Sequence, residues 1–553
     1  MKSKIPPLVY LVFSIFSIYL SSCQQKTKVD LILYNARIYT VDSANTIVEA
    51  MAIKDKKIIA LGTSKYILGH YNAQQSRDLH RLPVYPGFWD AHCHFYGYGL
   101  LKKRYADLVG TISFDEVIER IKDFRVQNPN ELWILGRGWD QNDWKIQSMP
   151  NKSKLDSLFP NTPVLLVRID GHSVIVNSAA LQLAGFDTKT VIKGGELLVQ
   201  NNELSGVLLD NAADSLKRLI PSPSDLMIEQ SLITAEKDCF AVGLTSLKDA
   251  GLNYPIIQKI EKMQQQSKLK IQLDIMLEPS VENMRHYVGK GIYQSDRLRI
   301  QSVKLYADGA LGSRGACLLE PYSDWPSNGF LIETPAYYDS ICSLLYHAGF
   351  QVNTHAIGDS AVRLMLKTYA KYLQGTNDRR WRIEHAQCVN PADFHYFGDF
   401  NIIPAINTTH ATSDMYWAKD RLGAQRIMSA YAFKMLLDQN GWCTNGSDFP
   451  IESVNPLFGF YAAVTRKDHN SKPLGGFQMG NALSREEALR AMTIWAAKGS
   501  FAENESGSLE LNKNADFVIL DKDIMQIPEN EIFTCKVLET YLSAEPVFVR
   551  NEK

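Results

Sequence analysis

The chain has 553 residues, 45% of them hydrophobic and 22% charged, and a formal net charge of −1. This is a globular composition, long enough for one large domain with additions, and it excludes a disordered or fibrous chain. Without a basic excess, nucleic acid and anionic surfaces are not expected as electrostatic partners. A small-molecule substrate is expected instead, with the oligomeric state left open, a homodimer included.

Lys2 and Lys4 precede an apolar run over 8–20, which is short for a bilayer span and ends at Leu20-Ser21-Ser22-Cys23. This pattern reads as a secretory leader, residues 1–22, and resembles a bacterial lipobox. Cleavage before Cys23 and acylation there would tether the protein by a lipid anchor to the bacterial cell envelope, at the periplasmic face or outer membrane. An uncleaved N-terminal anchor is the alternative, and it also leaves the protein outside the cytoplasm. The other seven cysteines, Cys93, Cys239, Cys317, Cys342, Cys388, Cys443 and Cys535, lack Cys-x-x-Cys spacing. They read as small buried hydrophobes rather than a disulfide framework.

Residues 30–40 and 50–62 have the pattern of strands in a hairpin-rich sheet. At the other end, 514–521 and 537–550 are again strand-like, following a helix over 484–499 that opens on the capping box Ser484-x-x-Glu487. Neither piece has enough apolar surface to fold alone. Segments 23–83 and 501–553 are therefore expected to pair as one small β-sandwich. Between them, 84–92, 243–248, 270–277, 298–305, 350–355, 382–385, 401–406 and 441–448 read as eight strands. They are separated by helical stretches such as 360–373 and 414–437. Such alternation predicts an α/β fold, a (β/α)8 TIM barrel over 84–500. The stretch 96–240 is too long for a βα loop and contains strands of its own, so it reads as an inserted subdomain on the catalytic face.

The barrel strands end on potential ligands. In Tyr85-Pro86-Gly87-Phe88-Trp89-Asp90-Ala91-His92-Cys93-His94, residues i and i+2 of an extended strand share a face, so His92 and His94 aim at one point. Later strands end on Lys304, His355, His385 and Asp448, which places ligands on strands one, four, five, six and eight. At this point the sequence resembles the amidohydrolase superfamily, whose barrel carries metals at those positions. The segments Lys304-Leu305-Tyr306-Ala307-Asp308-Gly309-Ala310-Leu311-Gly312-Ser313-Arg314, Arg168-Ile169-Asp170-Gly171-His172-Ser173 and Ser447-Asp448-Phe449-Pro450 are similar to the branch typified by N-substituted formamide deformylases. The resemblance runs from about Val29 to the C-terminus. It departs on strand seven, where Asn407-Thr408 stands in place of Gln-Pro ahead of Thr409-His410.

Four histidines and a carboxylate exceed what one tetrahedral ion needs, and a second divalent metal fits the surplus. Zinc is expected, with manganese or iron as alternatives. The resemblance implies that Lys304 carries a CO2-derived carbamate bridging two ions; a salt bridge to Asp308, or a place in a lid, is the plainer role for this lysine. On that pattern His92, His94 and Asp448 hold the more buried ion, and His355 and His385 the more exposed one. Metal-held hydroxide would attack a carbonyl, with Asp448 relaying the proton to the leaving amine. His172, Arg314, His410 and Trp139 are candidate substrate contacts, Arg314 on a loop made tight by Gly309, Gly312 and Gly315. Trp144, Tyr306, Trp417 and Phe449 are candidate aromatic lining.

The expected activity is hydrolysis of a non-peptide carbon–nitrogen bond in a substituted amide or formamide. The same site would serve an esterase, lactonase or phosphotriesterase, and a lipid-anchored binding protein without turnover is a further alternative. The anchor has a direct test. Cys23→Ser should release folded protein from membranes, and continued sedimentation with membranes after alkaline washing would refute acylation at this residue.

Overall fold

The computed structural model describes residues 26–551 apart from 170, 172, 193, 194 and 376. The leader with Cys23, and the candidate His172, lie outside the described residues. Eight parallel strands stand side by side in chain order: β1 (Phe88–Cys93), β2 (Leu244–Leu252), β3 (Gln272–Leu277), β4 (Leu298–Tyr306), β5 (Gln351–Ala356), β6 (Arg382–His385), β7 (Ile403–Ile406) and β8 (Thr444–Asn445). Every residue of β1, β6, β7 and β8 is buried, as expected of parallel strands covered on both faces. The covering helices are amphipathic. Asp359–Tyr372 buries Ala361, Val362, Met365, Leu366 and Tyr369 along one stripe. Pro335–Ala348 starts where the Thr334 side chain accepts from Tyr337 N and stops at Gly349, whose φ of 80° suits only glycine well. This is the TIM barrel the sequence predicts.

The barrel closes just beyond β8. Asp448 N donates to His92 O and His94 N donates to Phe449 O, both at 2.8 Å. The Asp90 carboxylate stitches the same seam, accepting from Ser447 Oγ at 2.6 Å and from His92 N at 3.1 Å. Gly446 is required here for space, because a Cβ on it would lie 2.4 Å from His92 N.

Three predicted elements are interrupted. The expected strand over 84–92 divides at Gly87, whose N–H bonds Asp516 O. Pro83–Pro86 pairs with Phe517–Leu520, whereas Phe88–Cys93 turns into the barrel beside β2. The helix expected over 414–437 becomes Ala418–Arg426, Ile427–Ser429 and Phe433–Asn440, with Gly423 at φ 75° inside the first piece. The helix over 484–499 has its capping box but breaks near Thr493 into Arg485–Ala491 and Ile494–Gly499.

Strands from both termini form two sheets beside the barrel. One joins Lys57–Gly62, Ala50–Lys54, Thr27–Tyr34 and Tyr71–Asp78; the other runs Glu545–Val549, Val537–Leu542, Phe517–Leu520, Pro83–Pro86, Arg37–Tyr39, Ile47–Val48. Leu33, Met51 and Ile53 of the first pack with Ile38, Val84, Phe517 and Ile519 of the second. A third, six-stranded sheet lies between β1 and β2 in the chain, from Ala106–Asp107 to Glu203–Asp210. The seven described cysteines are free. Among the described residues no helix is long and apolar enough to cross a membrane.

The seam supplies a stability test. Gly446→Ala drives a methyl into the β1 backbone, and this should cost about 3 kcal/mol of unfolding free energy. A denaturant midpoint equal to the wild type would show that the seam tolerates the methyl group.

Candidate metal centre

Alternation along β1 turns His92 into the barrel mouth, and the chain carries His94 beside it, the two rings 5.8 Å apart. Lys304 arrives from β4, His355 from β5 and His385 from the last position of β6. Asp448 comes from the closing seam. Two of these residues occupy the left-handed region, His385 at φ 70° and Asp448 at φ 61°. Backbone conformations of this kind cost energy in non-glycine residues and persist where the surroundings fix them.

Asp448 joins two groups of donors. Its Oδ1 lies 3.2 Å from His94 Nε2 and 3.5 Å from His92 Nε2; its Oδ2 lies 3.6 Å from His410 Nε2. Among the described residues, two triads bring their ligand atoms within 4.8 Å of one another: His92, His94 and Asp448, and His385, His410 and Asp448. Lys304 Nζ is 3.0 Å from His92 Nε2.

The electrostatics favour cation binding. Burial, reinforced by Lys304, lowers His92 to about 4 and His355 to about 3, and burial takes His385 well below its ordinary value. These imidazoles are therefore neutral, which is the form that ligates. Burial also lowers Lys304 to about 8, so a neutral amine is accessible near physiological pH. Although burial opposes ionisation of Asp448, its contacts with His94 and the neighbouring imidazoles hold it well below the usual carboxylate range. Asp448 Oδ1, His355 Nε2, His385 Nδ1 and His410 Nε2 are buried without hydrogen-bond partners. Unpartnered donors and acceptors of this kind are costly, and divalent ions would satisfy several of them together. The residues present thus fit a metal.

The candidates read from sequence divide accordingly. The structure brings together His92, His94, Lys304, His385 and Asp448. His355 packs its ring 4.6 Å from His385, yet belongs to neither triad, and its Nε2 lies 3.7 Å from Asp308 Oδ1. His410, expected at most to touch substrate, instead completes the second triad from the helix Thr408–Asp414, its ring stacked on His385 at 5.7 Å. Trp139 is not a substrate contact. It is fully buried in the core of the inserted sheet, where its Nε1 donates to Leu166 O at 2.9 Å and its ring packs near Trp144. Arg314 is ion-paired with Asp324 at 2.8 Å and sits over Trp325. Of the aromatics, Phe449 is fully buried, whereas Tyr306 is exposed beside His355 and over Lys304.

Asp308 does not pair with Lys304. Its carboxylate accepts from Ile357 N, Gly358 N and Cys317 N, fastening the loop after β4 to the end of β5. Sequence reasoning missed Arg382 and Glu384. The signal was a charged pair at i and i+2 of the short strand ending on His385, a spacing that sends both side chains into the barrel interior.

A parallel barrel with imidazoles and a shared carboxylate gathered at its C-terminal mouth has the organisation of the metal-dependent hydrolases. The comparisons carry this further. A structure titled an uncharacterised metal-dependent hydrolase from Pyrococcus horikoshii aligns with TM-score 0.77 and 26% identity over 90% of this chain and 99% of that one. Protein LONG AFTER FAR-RED 3 of Arabidopsis thaliana is 31% identical over 543 residues, 94% of this chain and 91% of its own. The N-substituted formamide deformylase of Arthrobacter pascens is 25% identical over 548 residues, 93% and 97% of the two chains. Residues 75–548 match the amidohydrolase family, and the chain belongs to it. It is a hydrolase of the class acting on carbon–nitrogen bonds other than peptide bonds.

The two triads can be tested separately. His410→Ala should cost about one equivalent of bound divalent metal while leaving the ion at His92 and His94. Metal analysis that finds His410→Ala fully loaded would remove this histidine from the ligand set.

Proposed function

We propose that the protein hydrolyses a substituted amide or formamide, with two divalent ions, zinc in the first instance, held by the two triads that share Asp448. The observation that carries this reading is the division of one carboxylate, Oδ1 toward His92 and His94 and Oδ2 toward His410. When bound, such ions polarise a carbonyl and acidify water. Asp448 is held ionised and can accept the proton of the attacking water at a carboxylate oxygen. It then delivers that proton to the leaving nitrogen, which departs as a neutral amine. His355 and Tyr306 pack against each other at the ends of β5 and β4, beside His385 and Lys304.

Lys304 is assigned a carbamate. A neutral amine would add CO2 and lose a proton, converting a donor that faces His92 Nε2 into a carboxylate-like acceptor. Its burial and lowered pKa support this assignment. The formamide or amide class is supported by the likeness to the Arthrobacter deformylase. Tethering of the enzyme through acylated Cys23 belongs to the same reading.

Metal removal and two substitutions test it. Chelated protein should be inactive toward formamides and amides and regain turnover with about two equivalents of zinc or manganese. Lys304→Ala should lose metal together with activity, and short carboxylic acids should restore part of both. Asp448→Asn should be slowed by about 10²–10⁴-fold, the range of a lost acid–base group. Full activity in metal-free protein would overturn the proposal; full metal occupancy and normal turnover in Lys304→Ala would overturn the carbamate.

A further inference from the structure

Glu384 is the carboxylate closest to the His92 ring, but it approaches from the side opposite the triads. It contacts Nδ1, while Nε2 faces Lys304 and Asp448. Both Glu384 and Arg382 are completely buried in the barrel interior. Arg382 places Nε 2.6 Å from Glu384 Oε1 and donates from Nη2 to Glu384 Oε2 at 2.9 Å. The same Nη2 donates to Ala91 O at 2.8 Å, one residue before His92.

We infer that Arg382 and Glu384 are positioning residues for the His92 subsite, fixing which imidazole nitrogen carries the proton and which one is left for the ion. This inference rests on reading the site as a metal centre. Neutral imidazole has one N–H and one lone pair, and its tautomer follows the stronger acceptor. The Glu384 carboxylate pairs with the Arg382 guanidinium on one side and contacts His92 Nδ1 on the other. A carboxylate oxygen at Nδ1 accepts a hydrogen bond from the proton there and leaves the Nε2 lone pair directed at Lys304 and Asp448. Arg382 meanwhile fixes Glu384 and ties it to the β1 backbone, so the ring is held in orientation as well as in tautomer.

A purely structural ion pair is the competing explanation, and the barrel contains one for comparison. Lys248 and Asp274, on β2 and β3, are equally buried and paired with each other, with no histidine contact. Burying two charges brings little net stability against an apolar pair of the same volume. The pair on β6 differs because its carboxylate is spent on a ligand's far nitrogen.

Metal-free protein titrated with cobalt or zinc against a chromophoric chelator separates these explanations. Wild type should bind two ions; Glu384→Gln should weaken one of them by about 10- to 100-fold, change the cobalt absorption spectrum, and leave the ion at His385 and His410 unchanged. Unaltered affinity for both ions would overturn the inference. A wild type that binds no ion would instead overturn the metal reading itself. Should Glu384→Gln fail to fold, the double variant R382M/E384Q removes both charges together and is read by the same criterion. Nitrogen-15 spectra of histidine-labelled wild type need no variant: the His92 proton belongs on Nδ1, and a proton on Nε2 in the metal-free protein overturns the assignment.

Discussion

The seam between β8 and β1 is the constraint on which the site depends. The barrel is closed there by the hydrogen bonds that place Asp448 and His94, not by a ladder between the two strands. Asp448 is thereby a structural residue and a candidate ligand at once. Its backbone N–H holds β1, and its side chain divides between two histidine groups. The absence of a Cβ at Gly446 and the carboxylate of Asp90 serve the same closure, one by leaving space and the other by accepting hydrogen bonds from both sides. A shift of the seam would move both triads, because both contain Asp448.

Electrostatics complete what the seam begins. Burial in a low-dielectric interior normally penalises charge, and here it strips the protons from His92, His355 and His385 and brings Lys304 toward neutrality. The negative charges that remain are individually supported: Asp448 by its contact with His94 and Glu384 by Arg382. The result is a cluster of neutral imidazoles around an ionised carboxylate.

Much of this was legible in the chain because strands end where side chains change character. An apolar run that stops on His, Lys or Asp marks the C-terminal end of a barrel strand, and β6 was located to the residue from Trp381-Arg382-Ile383-Glu384-His385. His410 was harder to assign because it lies on a helix after β7, where no two-residue period points it inward. Trp139 was misplaced because an indole in a strand reads alike whether it lines a pocket or fills a core. The break at Gly87 was hidden as well: Pro83–Pro86 and Phe88–Cys93 are both buried and apolar, so only their partners in space divide them.

That break bears on the order in which the molecule can assemble. The strand leading into β1 is flanked by Phe517–Leu520 and by Arg37–Tyr39, so its sheet waits for residues more than four hundred positions later in the chain. Contacts so distant in sequence form late. The sheet that leads the chain into His92 is thus complete only once a segment from near the far end of the polypeptide has joined it.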